Sequence, residues 1–438
     1  MSVSPSPRTG IARLLAASTI GTTIEFYDFF LYATAAATVF NKVFFPTTDP
    51  LTGVLLAVVT YALGFAARPI GGVVFGHLGD RQGRKRALVL SLLLMGGSTF
   101  AIGLLPTYAS VGVLAPLLLV TLRLVQGFSL GGEWGGAVLL VAESGSRERR
   151  GFWAAWPQTG GPLGNLLSTG VLAVLSITMS EAQFINWGWR LPFLLSAVLI
   201  VIGLWVRTTV EESPLFLEAR ASAEAAHTAA PIRRVLIGNW RNVLITTFAR
   251  AGENAIFYTF ATFLVIYVTT HLQQPRSLAL NALTIASVVQ TAGILASGAL
   301  SDRIGRRPVA IAGALSAGVW SFVFFALVEQ KTFAAVLLAV SVGLLLHAMV
   351  VGAQAAFFSE LFGTNVRYSG ASIGYQLGSV LGGSLAPIIG VWLLKTYGSG
   401  TPVAIYLVAM TLLTVTAMLL APETRARDLR TVDTSSPR

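Results

Sequence analysis

Twelve apolar stretches, each about 20 residues or longer, recur along this chain at 14–40, 51–76, 87–105, 112–142, 152–179, 189–209, 242–270, 277–300, 309–328, 333–361, 369–394 and 402–421. No other feature narrows the possible folds so far. A helix of about 20 apolar residues satisfies its backbone polar groups internally and matches the hydrocarbon thickness of a bilayer. Water is not the solvent for such a chain: only 11% of its 438 residues are charged, against roughly 25% in soluble domains. The expected fold class is all-α and polytopic, with twelve transmembrane helices. With no cysteine, disulfides, thiolate metal sites and cysteine nucleophiles are excluded. Four scattered His and no soluble catalytic domain point away from a metal centre, a cofactor or an enzyme.

The net charge of +11 would suit a nucleic-acid binder, but its placement argues otherwise. With the N-terminus inside, 22 of the 30 Lys and Arg fall on cytoplasmic connections, 5 on the opposite side and 3 within spans. Loop cations mark the cytoplasmic side. Both termini are therefore expected in the cytoplasm, and the charge is topological. Multi-pass insertion follows, with lipid rather than nucleic acid as the surroundings; a bacterial inner membrane and a monomeric working unit are further expectations, not read from the charge.

The longest polar stretch, 210–241, separates an N-terminal six-helix bundle (1–209) from a C-terminal one (242–421), with a tail at 422–438. The halves repeat. Gly76-His-Leu-Gly-Asp80-Arg81-Gln-Gly83-Arg84-Lys85 is echoed 222 residues later by Gly298-Ala-Leu-Ser-Asp302-Arg303-Ile-Gly305-Arg306-Arg307. Glu143 and Arg150 are echoed by Glu360 and Arg367, and Gln158 by Gln376 beside Tyr375. Duplicated six-helix units imply a binding site at their interface. Asp80, Arg81, Arg84, Glu143 and Arg150, with Asp302, Arg303, Arg306, Glu360 and Arg367, read either as positive-inside anchors or as a latch closing the cytoplasmic face. Recurrence of the Asp at matching places favours the latch. The loop resembles the signature loop of the major facilitator superfamily, present twice.

Seven ionisable residues lie inside spans: Glu25, Asp28, Arg68, Arg123, Glu133, Arg250 and Glu253. Each costs about 2.5–3.5 kcal/mol at a helix centre unless it is paired or faces water. The set sums to −1, so one proton neutralises it. Glu25 and Asp28 share a helix face, which makes them the candidate proton site; the alternative is a structural pair with Arg123 or Arg68. Glu133 either carries a proton or braces helix packing. Arg68 and Arg123 are candidate forks for a substrate carboxylate. Arg250, Glu253, Asn254 and Tyr258 form one polar stripe of span seven, either self-satisfied or facing the cavity. Tyr27, Trp134, Gln158, Tyr375 and Gln376 complete the candidate substrate surface. His347 stands alone on an apolar helix and reads as a packed histidine.

Beyond the loop, the chain is similar to the metabolite:proton symporter family of that superfamily. The matching stretches are Gly21-Thr-Thr-Ile-Glu25-Phe-Tyr27-Asp28-Phe-Phe-Leu-Tyr32, Arg68-Pro-Ile-Gly-Gly, Leu122-Arg123 through Gly136, Trp187-Gly-Trp189-Arg190-Leu-Pro-Phe and Glu360 through Gly370. The resemblance implies the major facilitator fold and alternating access, with the proton gradient as the driving force. It also implies import of a small polar metabolite such as citrate, 2-oxoglutarate, shikimate, proline or betaine. Glu25 and Gly252-Glu253-Asn254-Ala255 depart from the family's shikimate carriers, so the substrate is not carried over. The expected function is proton symport of a carboxylate-bearing metabolite. The alternatives are a zwitterionic osmolyte, or drug/proton antiport suggested by Gly160-Gly-Pro162-Leu-Gly164.

Overall fold

The computed structural model describes residues 9–46, 49–82, 84–131, 138–139, 141–142, 145–209, 238–363, 367–425 and 427. Among these, the regular structure is helical. The helices are α1 (Thr9–Ala35), α2 (Pro50–Gln82), α3 (Arg84–Gly103), α4 (Leu114–Leu130), α5 (Arg147–Thr178), α6 (Arg190–Thr209), α7 (Trp240–His271), α8 (Arg276–Ile304), α9 (Arg306–Val328), α10 (Phe333–Leu361), α11 (Ser369–Tyr397) and α12 (Thr401–Leu420). Each falls on one of the twelve apolar stretches. Eight of these are long and apolar enough to cross a bilayer unaided, and the pair Glu181–Gly188 and Arg190–Val206, bent by 47°, makes a ninth. Two shorter apolar helices, at Val89–Gly103 and Leu114–Leu130, and the acid-bearing α1 complete the twelve. Side chains such as Ile177 and Val319, each 72% exposed, cover the outside, as lipid requires.

The internal repeat is visible in the packing. In the first half α1 packs on α5, α2 on α4 and α3 on α6; in the second, α7 packs on α11, α8 on α10 and α9 on α12. The same scheme recurs six helices later. The halves meet along α5–α8 and α2–α11, which are themselves equivalent pairs. Helix α7 is enclosed over its whole apolar length, so its polar stripe faces protein rather than lipid. Most of the expected linker lies outside the described residues, and α7 already begins at Trp240, inside the stretch read as linker.

Small residues let these helices approach closely. A Cβ on Gly127 of α4 would lie 1.9 Å from the Gly64 carbonyl oxygen of α2. Gly127→Ala is therefore expected to force the pair apart and lower stability by ~1–3 kcal/mol. Thermal melting in detergent checks this, and an unchanged midpoint would show that the contact yields freely. Gly305, at φ 109°, makes the turn between α8 and α9 in a backbone region that side chains disfavour.

Candidate functional site

The intramembrane charges converge where the halves meet. In the first half Arg123 is fully buried, its guanidinium 4.7 Å from the ring centre of Phe29, 4.4 Å from Tyr32 and 4.6 Å from Tyr61. It donates from Nε to the Tyr61 carbonyl at 3.4 Å and from Nη1 to Gln126 Oε1. Gln126 Nε2 donates in turn to Thr99 Oγ1 at 2.7 Å, and Asp28 lies beside Thr99. A direct Asp28–Arg123 ion pair was one expectation; among the described residues the acid and base are joined instead through Thr99 and Gln126. The reason is geometric: Gln126, one turn after Arg123, reaches the guanidinium first. Neither Thr99 nor Gln126 stood out in the sequence, because neutral polar residues are common in spans.

Arg68 is buried with its guanidinium 4.3 Å from the centre of Phe29 and 4.2 Å from that of Phe65. Glu25, Tyr61, Tyr258 and Tyr375 lie within its electrostatic reach. Buried Arg68 Nε and Nη2, Arg123 Nη2 and Asp28 Oδ1 have no hydrogen-bond partner. Such groups are expensive to leave unmade.

In the second half Arg250 pairs with Glu253, donates from Nη2 to the Tyr375 hydroxyl at 2.6 Å and lies 4.0 Å from the centre of that ring. Glu253 is not satisfied by Arg250 alone. Its Oε1 lies 2.6 Å from His347 Nε2, and His347 Nδ1 lies 2.7 Å from Gln290 Nε2. The reading of His347 as a lone packed histidine is thereby corrected. Its partners sit on α7 and α8, 94 and 57 residues away. Asn254 donates to Ser379 Oγ at 3.3 Å, and Gln376 donates across the halves to the Gly131 carbonyl at 3.2 Å. Gln158 is buried at the end of the first segment of α5. Aromatic rings close the space between the halves, Phe30 on Phe257 at 4.9 Å and Phe65 on Tyr258 at 5.9 Å. The Tyr27 hydroxyl donates to the Pro192 carbonyl at 2.7 Å and staples α1 to α6. Glu133 and Trp134 lie outside the described residues.

At the face carrying the two repeated loops, Glu360 is the hub of an ion-pair network. It is fully buried and accepts from Arg150 at 2.9 Å, Arg306 at 3.1 and 3.2 Å, and Thr424 at 2.7 Å. Asp302 accepts from Arg306 Nη1 at 2.7 Å and from the backbone N–H groups of Gly151 and Phe152 at 2.8 and 2.9 Å. Arg150, Gly151 and Phe152 belong to the first half, so these contacts join the halves. Arg367 donates from Nε to the Phe362 carbonyl. Arg303 is exposed and contributes its carbonyl, to Arg425, rather than its charge. Glu423 caps α9 by accepting from the N–H groups of Arg306 and Arg307. Burial pushes its carboxyl up, but the backbone N–H donors of Arg306, Arg425, Arg307 and Thr424 outweigh this and hold it below the usual carboxylate range. Glu143 and the side chains of Asp80, Arg81 and Arg84 lie outside the described residues.

The opposite face is also bridged, by charges that had looked merely topological. Glu181 in the α5–α6 link pairs with Lys42 at 3.1 Å and with Arg276 at the start of α8 at 2.5 Å. Lys395 of α11 lies 3.4 Å from Asp49 beside α2. Hydrogen bonds from the Thr52 side chain and backbone, with Lys395 adding to them, hold the Asp49 carboxyl at about 2. The halves thus touch at both ends, with the charged cluster enclosed between them.

Comparison with known proteins agrees with this architecture. The family model of the Major Facilitator Superfamily matches residues 18–372 and 254–436. The chain is 42% identical over 422 residues to the inner membrane metabolite transport protein YhjE of Escherichia coli K12, covering 95% of each chain. It is also 42% identical over 409 residues to the shikimate transporter of the same organism, covering 93% of each. Identity to the E. coli K12 proline/betaine transporter is 30%, over 96% of this chain and 85% of that one. The fold superposes on the proton:xylose symporter XylE bound to 6-bromo-6-deoxy-D-glucose with a TM-score of 0.77 at 20% identity, covering 97% of this chain and 98% of that one. A duplicated six-helix architecture and these relatives lead to one conclusion: the chain belongs to the major facilitator superfamily, a family of membrane transporters and not of enzymes.

Proposed function

We propose that the protein is a proton-coupled symporter that carries a small carboxylate-bearing metabolite into the cell by alternating access. The observation that carries this reading is the pair Arg68 and Arg123, buried against aromatic faces between the halves with guanidinium N–H groups unpartnered. A planar carboxylate offers acceptors in the geometry a guanidinium fork presents. Phe29, Phe65 and Tyr258 exclude water around that fork, which strengthens the attraction. Metabolite and shikimate transporters among the relatives accord with an acid as substrate.

In this reading the basic face, with its latch at Glu360, is cytoplasmic, as loop cations favour. A proton on Asp28 removes the negative charge near Arg123 and lets the substrate carboxylate take its place. Proton and substrate then prefer the same state, which is all that coupling requires. Loss of the Glu181–Arg276 and Asp49–Lys395 contacts opens one face, and loss of the Glu360 hub opens the other.

Uptake into proteoliposomes across a panel of organic acids, amino acids and betaines, with and without an inward proton gradient, tests the reading. Accumulation of an acid only with the gradient is expected. Preference for a betaine would replace the substrate class, and gradient-driven efflux from inside-out vesicles would replace symport by antiport. Arg68→Lys, which keeps the charge but loses the fork, is expected to raise the KM for the acid about tenfold, ~1.4 kcal/mol, with little change for a neutral analogue.

A further inference from the structure

We propose that His347 is a second proton-binding site, built into the second half, and that its protonation frees Arg250 to hold the transported carboxylate. The second clause rests on the symport reading; the first does not. Gln290 Nε2 can only donate, so His347 Nδ1 accepts and the ring hydrogen sits on Nε2, aimed at Glu253 Oε1. The Gln290 carbonyl oxygen is buried with no hydrogen-bond partner. A half-turn of that amide exchanges donor for acceptor. The Nδ1 position then carries a proton held by the Gln290 carbonyl, while Nε2–H still donates to Glu253. The ring can thus gain a proton without moving a heavy atom of its own, and imidazole is the side chain that changes charge most readily between about pH 5 and 8.

The surroundings give that proton a consequence. Among the described residues, the charged and titratable groups around the ring are Glu253 and Arg250 on α7, Tyr258 further along α7, and Tyr375 on α11; beyond them lie Glu25 and Arg68, while α8 presents the neutral Gln290. With a neutral ring, Arg250 and Glu253 balance to zero. A charged His347 shares the Glu253 carboxylate and leaves the cluster at +1. Arg250, whose Nε has no hydrogen-bond partner, is then less tightly held. A substrate carboxylate restores neutrality, so proton and acid favour one another's binding. The ring also packs by Phe257, 5.3 Å between centres, and Phe257 lies tilted against Phe30 of the first half at 4.9 Å. A change at His347 is therefore felt at the surface where the halves part.

The full chain, labelled with 15N-histidine in nanodiscs, tests the proton site without any substrate. The chain has four His, so the His347 signals are assigned by their loss in His347→Gln. Between pH 8 and pH 5 the wild-type signals should pass from the one-proton to the two-proton form. In Gln290→Leu, which leaves the ring in place but removes the acceptor, the second proton should be lost. A His347 that keeps one tautomer throughout, or titrates alike in both proteins, overturns the site. The link to Arg250 is read in the Asp28→Asn background. There, affinity for the transported acid should rise on the order of tenfold from pH 8 to pH 5 and stay flat once His347→Gln is added. An equal rise in both overturns the link. If no acid in the panel binds, the symport reading fails while the NMR result stands by itself.

Discussion

Asp28→Asn is expected to cut proton-driven accumulation about tenfold per pH unit of gradient while sparing exchange of substrate across the membrane. One pH unit is worth about 1.4 kcal/mol per proton, so a carrier moving one proton with each substrate concentrates it about tenfold per unit of inward gradient. In the variant that tenfold factor should be lost, leaving only what the proton on His347 drives. Asparagine keeps the shape of the side chain beside Thr99 but can neither gain nor lose the proton. The exchange assay is the control, because a protein that binds and reorients without a proton still swaps labelled for unlabelled substrate. Accumulation left undiminished by the change would move the coupling proton away from Asp28, to Glu25 or wholly to the second half.

Glu360→Gln should have the largest effect at the latch. The carboxylate is fully buried and answers Arg150 and Arg306 together, so losing its charge leaves two buried guanidinium groups short of their partner. Removing one member of a buried ion pair costs about 3–5 kcal/mol. That energy is lost from the conformation in which this face is shut. Behind the latch, Ala155 of α5 packs against Ile294, Ala348 and Val351 of the other half. Because the chain has no cysteine of its own, Ala155→Cys reports opening cleanly. Its labelling by an impermeant maleimide should quicken on the order of a hundredfold when Glu360→Gln is added. Unchanged labelling, together with an unchanged melting temperature, would show that Glu360 does not hold the face shut.

Much of the fold was legible because two of its causes are local. A run of about 20 apolar residues must become a spanning helix wherever its neighbours lie. A duplicated loop such as Asp80 to Arg84 and Asp302 to Arg306 announces a duplicated bundle without any contact being known. The intramembrane charges were legible for a related reason, since an ion in lipid is too costly to be incidental. The site was only partly legible. Arg68, Arg123, Arg250 and Glu253 do gather between the halves, but the bond from Tyr27 to Pro192 and the meeting of Arg150 and Arg306 at Glu360 could not be read. His347 was read as a packed side chain, and Gln290, Thr99 and Gln126 went unremarked, because a single neutral polar residue in a span carries no local signal.

The sequence alone determined that the chain is a twelve-helix membrane protein in two repeated halves, and which side chains are too polar to face lipid. Hydropathy, charge and repetition are properties of short stretches, so they can be read before folding. Tertiary structure alone decided who partners whom. Arg150 meets Glu360 across 210 residues and His347 meets Glu253 across 94, pairings set by how rigid helices pack and rotate against one another. A partner on another helix depends on that rotation, and apolar spans of near-uniform composition leave it unwritten until small residues such as Gly127 and Gly64 bring the backbones together.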